Sequence, residues 1–159
     1  MTGLGWKRVG LLELTALPDI APDRWINWVR GADVLLVDGG DATFLRHWLG
    51  RSGFSDLLPS LDRTTWIGVS AGSMVLTPRV GRDFVQWNGA EDDAAPGLVD
   101  FSISPHLDHP EMPGSTIEAG RERARYIAGP AYAIDDETAI AVVDGTVRVI
   151  SEGQWHQLA

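Results

Sequence analysis

The sequence predicts an α/β fold, a three-layer sandwich in which helices cover a mostly parallel sheet. Two continuous apolar runs of buried-strand length, residues 33–37 and 66–69, are separated by segments with helical spacing. Strands that alternate with helices favour parallel pairing, because each crossover helix returns the chain to the same end of the sheet. Near the C-terminus, Asp144 and Gly145 lie between two alternating segments and predict an antiparallel hairpin at the sheet edge. We expect one domain over residues 1–159.

The remaining elements of the N-terminal half follow from helix boundary signals. Pro22 and Gly31 stand at the start and just past the end of a helical pattern, and Gly50 can close a second helix. A strand is expected over residues 9–14, and helices over residues 22–30, 44–49, 55–58 and 73–76.

The C-terminal half begins with residues 81–97, which lose periodicity and predict a long surface loop. A strand is expected over residues 98–103. Ser115 and Glu118 form a capping-box pattern ahead of a helix that reaches Ile127, and the hairpin strands are expected at 139–143 and 146–150.

The charge balance limits the possible partners. The chain has 13 basic and 22 acidic residues, a net charge of −9, which disfavours nucleic acid and anionic membrane surfaces. No apolar run reaches the roughly 20 residues that span a bilayer. Zero cysteines exclude disulfides, a thiolate nucleophile and cysteine-ligated zinc. We therefore expect a cytoplasmic protein that binds neither nucleic acid nor membranes.

The most informative motif is Gly68-x-Ser70-x-Gly72, between a predicted strand and a predicted helix. This context is typical of a nucleophile elbow, a tight turn that raises a serine hydroxyl above the sheet. The alternative is that small residues only let the helix pack closely on the strand.

A serine nucleophile needs a base, and four histidines are available. His47 lies in a predicted helix and His156 in a final strand-like segment, whereas His106 and His109 follow a strand end, where open α/β sheets place functional loops. A metal site built from His106, His109 and Asp108 is a weaker alternative, since spacing marks no further ligand.

When a nucleophile attacks a carbonyl carbon, the carbonyl oxygen becomes an oxyanion, and this oxyanion needs hydrogen-bond donors. Gly39, Gly40 and Asp41 form a second glycine turn after the strand at 33–37, and the amide of Ala71 directly follows Ser70. An ordinary strand-to-helix turn is the alternative reading of the glycine pair.

Four segments together resemble the peptidase E (alpha-aspartyl dipeptidase) family of serine peptidases, which includes the cyanophycinases. They are DVLLVDGGDATFLRHWL, WIGVSAGSMVLTP, ISPHLDHP and YAIDDETAIAV, in the family's order. The resemblance implies a fold like that of the class I glutamine amidotransferases, flavodoxin-like, and a triad in the order Ser, His, acid.

Carried over by motif, the resemblance implies Ser70 as nucleophile, His106 as general base and Asp136 as the acid. Aspartate here stands where peptidase E has glutamate, so Asp135 and Glu137 remain candidates. The resemblance also implies Gly40 and Ala71 as oxyanion donors. Asp41, at a position where Asn or Asp is common, is a candidate substrate-binding residue.

The implied reaction is acyl-enzyme hydrolysis of small peptides, possible without any cofactor or metal. In peptidase E the preferred substrate carries an N-terminal aspartate, which needs a nearby cation. The candidate substrate-binding arginines are Arg79, Arg82 and Arg121.

The chain also lacks the segment that usually precedes the part matched from residue 9. It is expected to be a short member, and the alternatives are a truncated chain or one whose start lies upstream. Without the strands of that segment, a sheet edge or an apolar face would be exposed. We expect a homodimer or higher homo-oligomer to cover it. Two other functions stay open: an α/β-hydrolase esterase with His156 as base, and an inactive family member that acts as a binding subunit.

Overall fold

The computed structural model describes residues 5–158 as a mixed α/β chain. In chain order the elements are α1 (Pro22–Arg30), β1 (Val34–Val37), α2 (Ala42–Arg51), α3 (Phe54–Leu57), β2 (Thr65–Gly68), α4 (Ala71–Met74), β3 (Ser102–Ser104), α5 (Ile117–Ala124), β4 (Ala131–Ile134), β5 (Thr138–Val143), β6 (Thr146–Ser151) and β7 (Trp155–Gln157). Short 3-10 helices in this part of the chain lie at Leu14–Asp19, Leu58–Ser60 and Arg82–Phe84. Within the described range, no helix combines the length and the apolar character needed to cross a bilayer.

The strands form three small sheets. In the first, β1 and β2 pair in parallel, with Val37 opposite Gly68. In the second, β3 and β4 are parallel and β7 is antiparallel to β4. The third is the β5–β6 hairpin. The mixed α/β class is confirmed. The described strands do not form the single, mostly parallel sheet that the sequence predicts.

The prediction of a strand at residues 9–14 is wrong. Residues 9–13 have no regular structure, and Leu11 is 91% exposed. The Leu14–Asp19 helix contains Pro18, and the Glu13 carboxylate caps it by accepting the Thr15 N–H at 3.2 Å. Local capping at this point outweighs the apolar pattern, because no strand among residues 5–158 pairs with the segment.

The strand expected at 98–103 is shorter in the structure, where β3 covers only its C-terminal part and Ser104. The N–H groups of Leu98 and Val99 both donate to the Leu76 carbonyl, at 2.8 and 3.2 Å. This part of the chain is therefore attached to the segment after α4 and not to the sheet.

Most other boundaries agree with the sequence within one to three residues. Helix α5 is capped by Thr116, whose hydroxyl accepts the Ala119 N–H, one residue later than the capping-box pattern indicates. The hairpin turn is confirmed: Asp144 and Gly145 have φ of 49° and 74°, as a type I′ turn requires. Strand β4, which sequence reasoning did not separate, completes the sheet beside β3.

The larger apolar core joins α1, α2, α3 and α4. Trp25 of α1 stacks on Phe54 of α3 with ring centroids 5.9 Å apart, and Met74 and Val75 are almost fully buried in the same core. Helix α4 contacts both β2 and β3, so it connects the first sheet to the second. That connection positions the candidate site.

Candidate active site

Ser70 occupies a strained turn between β2 and α4. Its φ of 52° and ψ of −116° lie outside the regions that residues with a side chain favour, as expected of a nucleophile elbow. A Cβ on Gly72 would lie 2.1 Å from the Val37 carbonyl oxygen, and a Cβ on Gly68 would lie 2.2 Å from the Gly72 oxygen. The glycines therefore let α4 pack on the strands, and this packing presents Ser70 at the turn. The packing interpretation of the motif is therefore compatible with a nucleophile elbow at Ser70.

The glycine turn after β1 lies beside Ser70. A Cβ added to Gly39 would be 3.2 Å from Ser70 Cβ and 3.6 Å from its Oγ. Gly40 has a φ of 121°, and none of the described hydrogen bonds uses its N–H. Asp41 caps α2: its carboxylate accepts the Phe44 N–H at 2.8 Å and the Thr43 hydroxyl at 2.6 Å. The carboxylate proposed to contact substrate is thus engaged in capping.

Ala71 is the first residue of α4. An N–H at this position has no carbonyl one turn earlier to bond within the helix, so it can serve an external acceptor. The Trp66 indole donates to the Gly72 carbonyl at 2.9 Å and ties the start of α4 to β2.

His106 and Asp136 meet because β3 and β4 are parallel neighbours. Ser104 lies opposite Ala133 in the ladder, so the loops after both strands leave the sheet at the same end. His106 Nδ1 lies 2.7 Å from Asp136 Oδ1. Because a carboxylate only accepts, the neutral ring carries its proton on Nδ1 and leaves Nε2 as a base.

The neighbouring acids are placed differently. The Asp135 carboxylate accepts from the Thr138 hydroxyl at 2.6 Å and from the Glu137 N–H at 3.1 Å, and also bonds to the Gln154 N–H. The Thr138 and Gln154 hydrogen bonds lower the pKa of Asp135. Glu137 is exposed. Of the three candidates, Asp136 is the one in contact with His106.

Ser70 and His106 are not hydrogen-bonded to each other. His106 Nε2 is buried and has no partner among the described residues. Catalytic hydrogen bonds are often long in substrate-free enzymes and shorten in the complex. The histidine–carboxylate pair is formed, and the contact to the hydroxyl is not.

His47 and His156 make no contact with Asp136 in the described part of the chain. The His47 ring packs on Trp87, with centroids 4.7 Å apart. His156 lies exposed in β7, and no ion pair joins it to a carboxylate in the described part of the chain. An esterase triad based on His156 therefore lacks its orienting acid. Among residues 5–158, no group of three or more His, Asp or Glu side chains could hold a metal ion.

The three predicted arginines have different environments. Arg79 donates from Nε to Asp93 Oδ2 at 3.2 Å and pairs with the other oxygen, and the hydrogen bond and charge of Asp93 raise the pKa of Arg79. Arg82 lies over the Tyr126 ring, 5.7 Å from its centroid. Arg121 is exposed, with no hydrogen bond or ion pair to the rest of the described chain.

Sequence reasoning missed Arg123. Its side chain is only 10% exposed, donates to Ser104 Oγ at 2.5 Å and to both Asp83 oxygens at 3.0 Å, and lies over the Phe84 ring. The available signal was its position four residues before Ile127, on the apolar side of α5. Through Asp83 and Ser104, Arg123 links the 81–97 loop to β3. Ser104 lies two residues before His106.

Two solved structures share this fold. A candidate peptidase E from Listeria monocytogenes EGD-e superposes with a TM-score of 0.70 at 22% identity, over 86% of this chain and 68% of that one. A peptidase from an acI-B1 actinobacterium gives a TM-score of 0.66 at 19% identity, over 86% of this chain and 57% of that one. Likeness at these identities establishes the fold alone.

No protein of curated function matches the chain significantly. The profile of peptidase family S51, in contrast, matches residues 6–150, which include the elbow, His106 and Asp136. The chain belongs to peptidase family S51, a family of serine-type peptidases.

Proposed function

We propose that the chain hydrolyses small peptides, with Ser70 as nucleophile, His106 as general base and Asp136 as the carboxylate that orients the base. The observation that carries the proposal is the 2.7 Å contact between His106 Nδ1 and Asp136 Oδ1. The elbow backbone at Ser70 and the membership in family S51 support it.

In the proposed reaction, Ser70 Oγ attacks the peptide carbonyl carbon while His106 Nε2 takes the hydroxyl proton. The carbonyl oxygen becomes an oxyanion that accepts from the N–H groups of Gly40 and Ala71. The C–N bond then breaks, and His106 gives its proton to the leaving amine. Water attacks the resulting ester, passes a proton to His106 and releases the acid, and the proton returns to Ser70.

We propose substrates with an N-terminal aspartate. A protein of net charge −9 repels such a substrate unless a local cation attracts it. Arg79 is already paired with Asp93 and Arg82 lies over Tyr126, whereas Arg121 has no partner within the described residues. Arg121 is therefore the arginine best able to bind the substrate carboxylate.

A hydrolysis screen of Asp-X, Glu-X and neutral dipeptides tests the proposal. We expect Asp-X to be cleaved fastest, Ser70→Ala to lower kcat by at least about a thousandfold, and Arg121→Gln to raise KM for Asp-X roughly tenfold or more. Arg63→Gln, at an exposed arginine in a turn, is the control. Full activity of Ser70→Ala would remove the proposal, and equal rates on neutral dipeptides would remove the aspartate preference.

A second candidate, an inactive member that acts as a binding subunit, is favoured by the absence of a Ser70–His106 hydrogen bond. A fluorophosphonate probe separates the two. Stoichiometric labelling of Ser70 that is lost in His106→Ala supports the peptidase. No labelling of a folded wild-type protein supports the binding subunit.

Several wider features stay part of the proposal. We expect the elements to form one domain with the three-layer arrangement of the glutamine amidotransferase-like folds. We also expect a homo-oligomer that acts on small peptides in the cytoplasm, without binding nucleic acid or membranes.

A further inference from the structure

The Asp136 carboxylate is shared between two imidazoles. Oδ1 contacts His106 Nδ1 at 2.7 Å, and Oδ2 lies 3.5 Å from His109 Nε2. The two rings are 6.1 Å apart between centroids. The second contact is longer than a good hydrogen bond, and it brings a donor to the oxygen that His106 does not use.

The backbone and one hydrogen bond hold the His109 ring in place. The His109 N–H donates to the His106 carbonyl at 3.1 Å, and Asp108 has a φ of 54°, so residues 106–109 form a tight turn. His109 Nδ1 accepts the Glu111 N–H at 3.1 Å. A nitrogen that accepts carries no proton, so the proton of the neutral ring is on Nε2, the atom nearest Asp136.

Asp136 needs such support, because its side chain is 50% exposed and borders an open cleft of about 270 Å³ that His109 also lines. No arginine or lysine lies within ion-pair distance of it in the described part of the chain. A carboxylate with one partner can rotate about its terminal torsion, which has broad minima, and lose its alignment with His106.

We propose that His109 is a positioning residue for the histidine–carboxylate pair. Its Nε2–H restrains Oδ2 and thereby keeps Oδ1 directed at the His106 Nδ1–H. The effect on rate rests on the proposed peptidase function, whereas the effect on the geometry of His106 does not.

A double-mutant cycle with the best dipeptide substrate tests the role. We expect His109→Ala to lower kcat roughly tenfold with KM within about twofold, an effect typical of directly coupled side chains. His109→Gln should recover most of the rate, because its amide nitrogen can reach the position of Nε2. In an Asp136→Ala background, His109→Ala should cause no further loss. A loss that persists in that background, or that glutamine does not reduce, overturns the proposal.

A second measurement does not depend on catalysis. In ¹⁵N-resolved NMR of the histidine rings, His109 should show an unprotonated Nδ1 and a protonated Nε2, and His109→Ala should shift the His106 Nδ1–H resonance. His156→Ala, at an exposed residue of β7, should leave that resonance unchanged. If the chain cleaves no peptide while His106 still responds to His109→Ala, only the peptidase function fails. An unmoved His106 resonance, or a proton on His109 Nδ1, overturns the positioning role.

Discussion

Backbone strain is concentrated at two residues to which we assign the chemistry, Ser70 and His106, and in the turn that follows His106. Four non-glycine residues have positive φ in the described chain, and Ser70, His106 and Asp108 are three of them. Such conformations cost about 1–3 kcal/mol each and persist only where surrounding contacts enforce them. At Ser70 the enforcing contacts are the close approach of Gly72 to Val37 and the hydrogen bond from Trp66.

This packing predicts that Gly72→Ala destabilises the protein by about 3 kcal/mol or more, since the new methyl would overlap backbone atoms that cannot move independently. Urea denaturation measures the change in the free energy of unfolding. Gly50→Ala is the matched control, because Gly50 lies in α2 and a Cβ added there would have no atom within 4 Å apart from the nearby backbone of its own helix. We expect that control to stabilise by about 0.5–1 kcal/mol, and equal effects at the two positions would contradict the account.

At the scale of elements, ion pairs fasten the 81–97 loop to the rest of the fold. Arg46 of α2 pairs with Asp92 at 2.6 Å, Arg79 pairs with the buried Asp93, and Arg123 of α5 pairs with Asp83. Burial by itself raises the pKa of Asp83, but the hydrogen bonds and charge of Arg123 outweigh it, so the pKa lies below its usual value. The loop is therefore held by charges on α2, on α5 and on the segment after α4.

The lowered pKa of Asp83 predicts a pH-dependent contribution to stability. A carboxylate whose pKa is lower in the folded state stabilises the protein above its unfolded-state pKa of about 3.9, and loses that contribution as pH falls through the folded-state value. Asp83→Asn should lower the free energy of unfolding by about 0.5–1 kcal/mol at pH 7. This figure is reduced for solvent screening, because the Asp83 side chain is 55% exposed.

The difference in the free energy of unfolding between Asp83→Asn and the wild type should shrink as the pH falls below about 4. The comparison applies within the range where the native protein still unfolds reversibly. Thermal or urea unfolding at several pH values measures it. Asp62→Asn, at an exposed carboxylate, should change stability little at any pH. A constant penalty for Asp83→Asn across this range would show that its charge is not what stabilises the loop.

Local patterns predicted the elements whose signals are complete within a short window. The Asp144-Gly145 turn, the Pro22 start of α1 and the Thr116 region of α5 are examples. Partners distant in sequence decided the rest. The predicted strand at 98–103 depends on whether Leu98 bonds to a strand or to Leu76, and the buried Arg123 depends on where the loop with Asp83 folds. Neither contact has a signal in the neighbouring residues.

At the scale of the whole molecule, one face of the β1–β2 sheet is left uncovered. Leu36 and Ile67 are register partners on that face and are 42% and 41% exposed, and Val69 continues it at 49%. Exposed contiguous apolar surface of this kind is typical of an interface. We expect the homo-oligomer to use this face.

We therefore predict a mass of at least two chains in sedimentation velocity at micromolar concentration. Ile67→Asp should shift the distribution towards one chain, because it places like charges opposite each other in a symmetric contact. Leu11→Asp, at a residue that is 91% exposed outside any strand, is the control and should leave the mass unchanged. A wild-type protein that sediments as one chain would contradict the prediction.

Helix α4 carries a further consequence, because Ser70 follows a strand of the first sheet while His106 and Asp136 follow strands of the second. The proposed nucleophile and the proposed base thus follow strands of two sheets that α4 connects. The distance between Ser70 and His106 is therefore set by how α4 packs on β2 and β3. Under the proposed function, that packing decides whether a proton can pass between the two side chains.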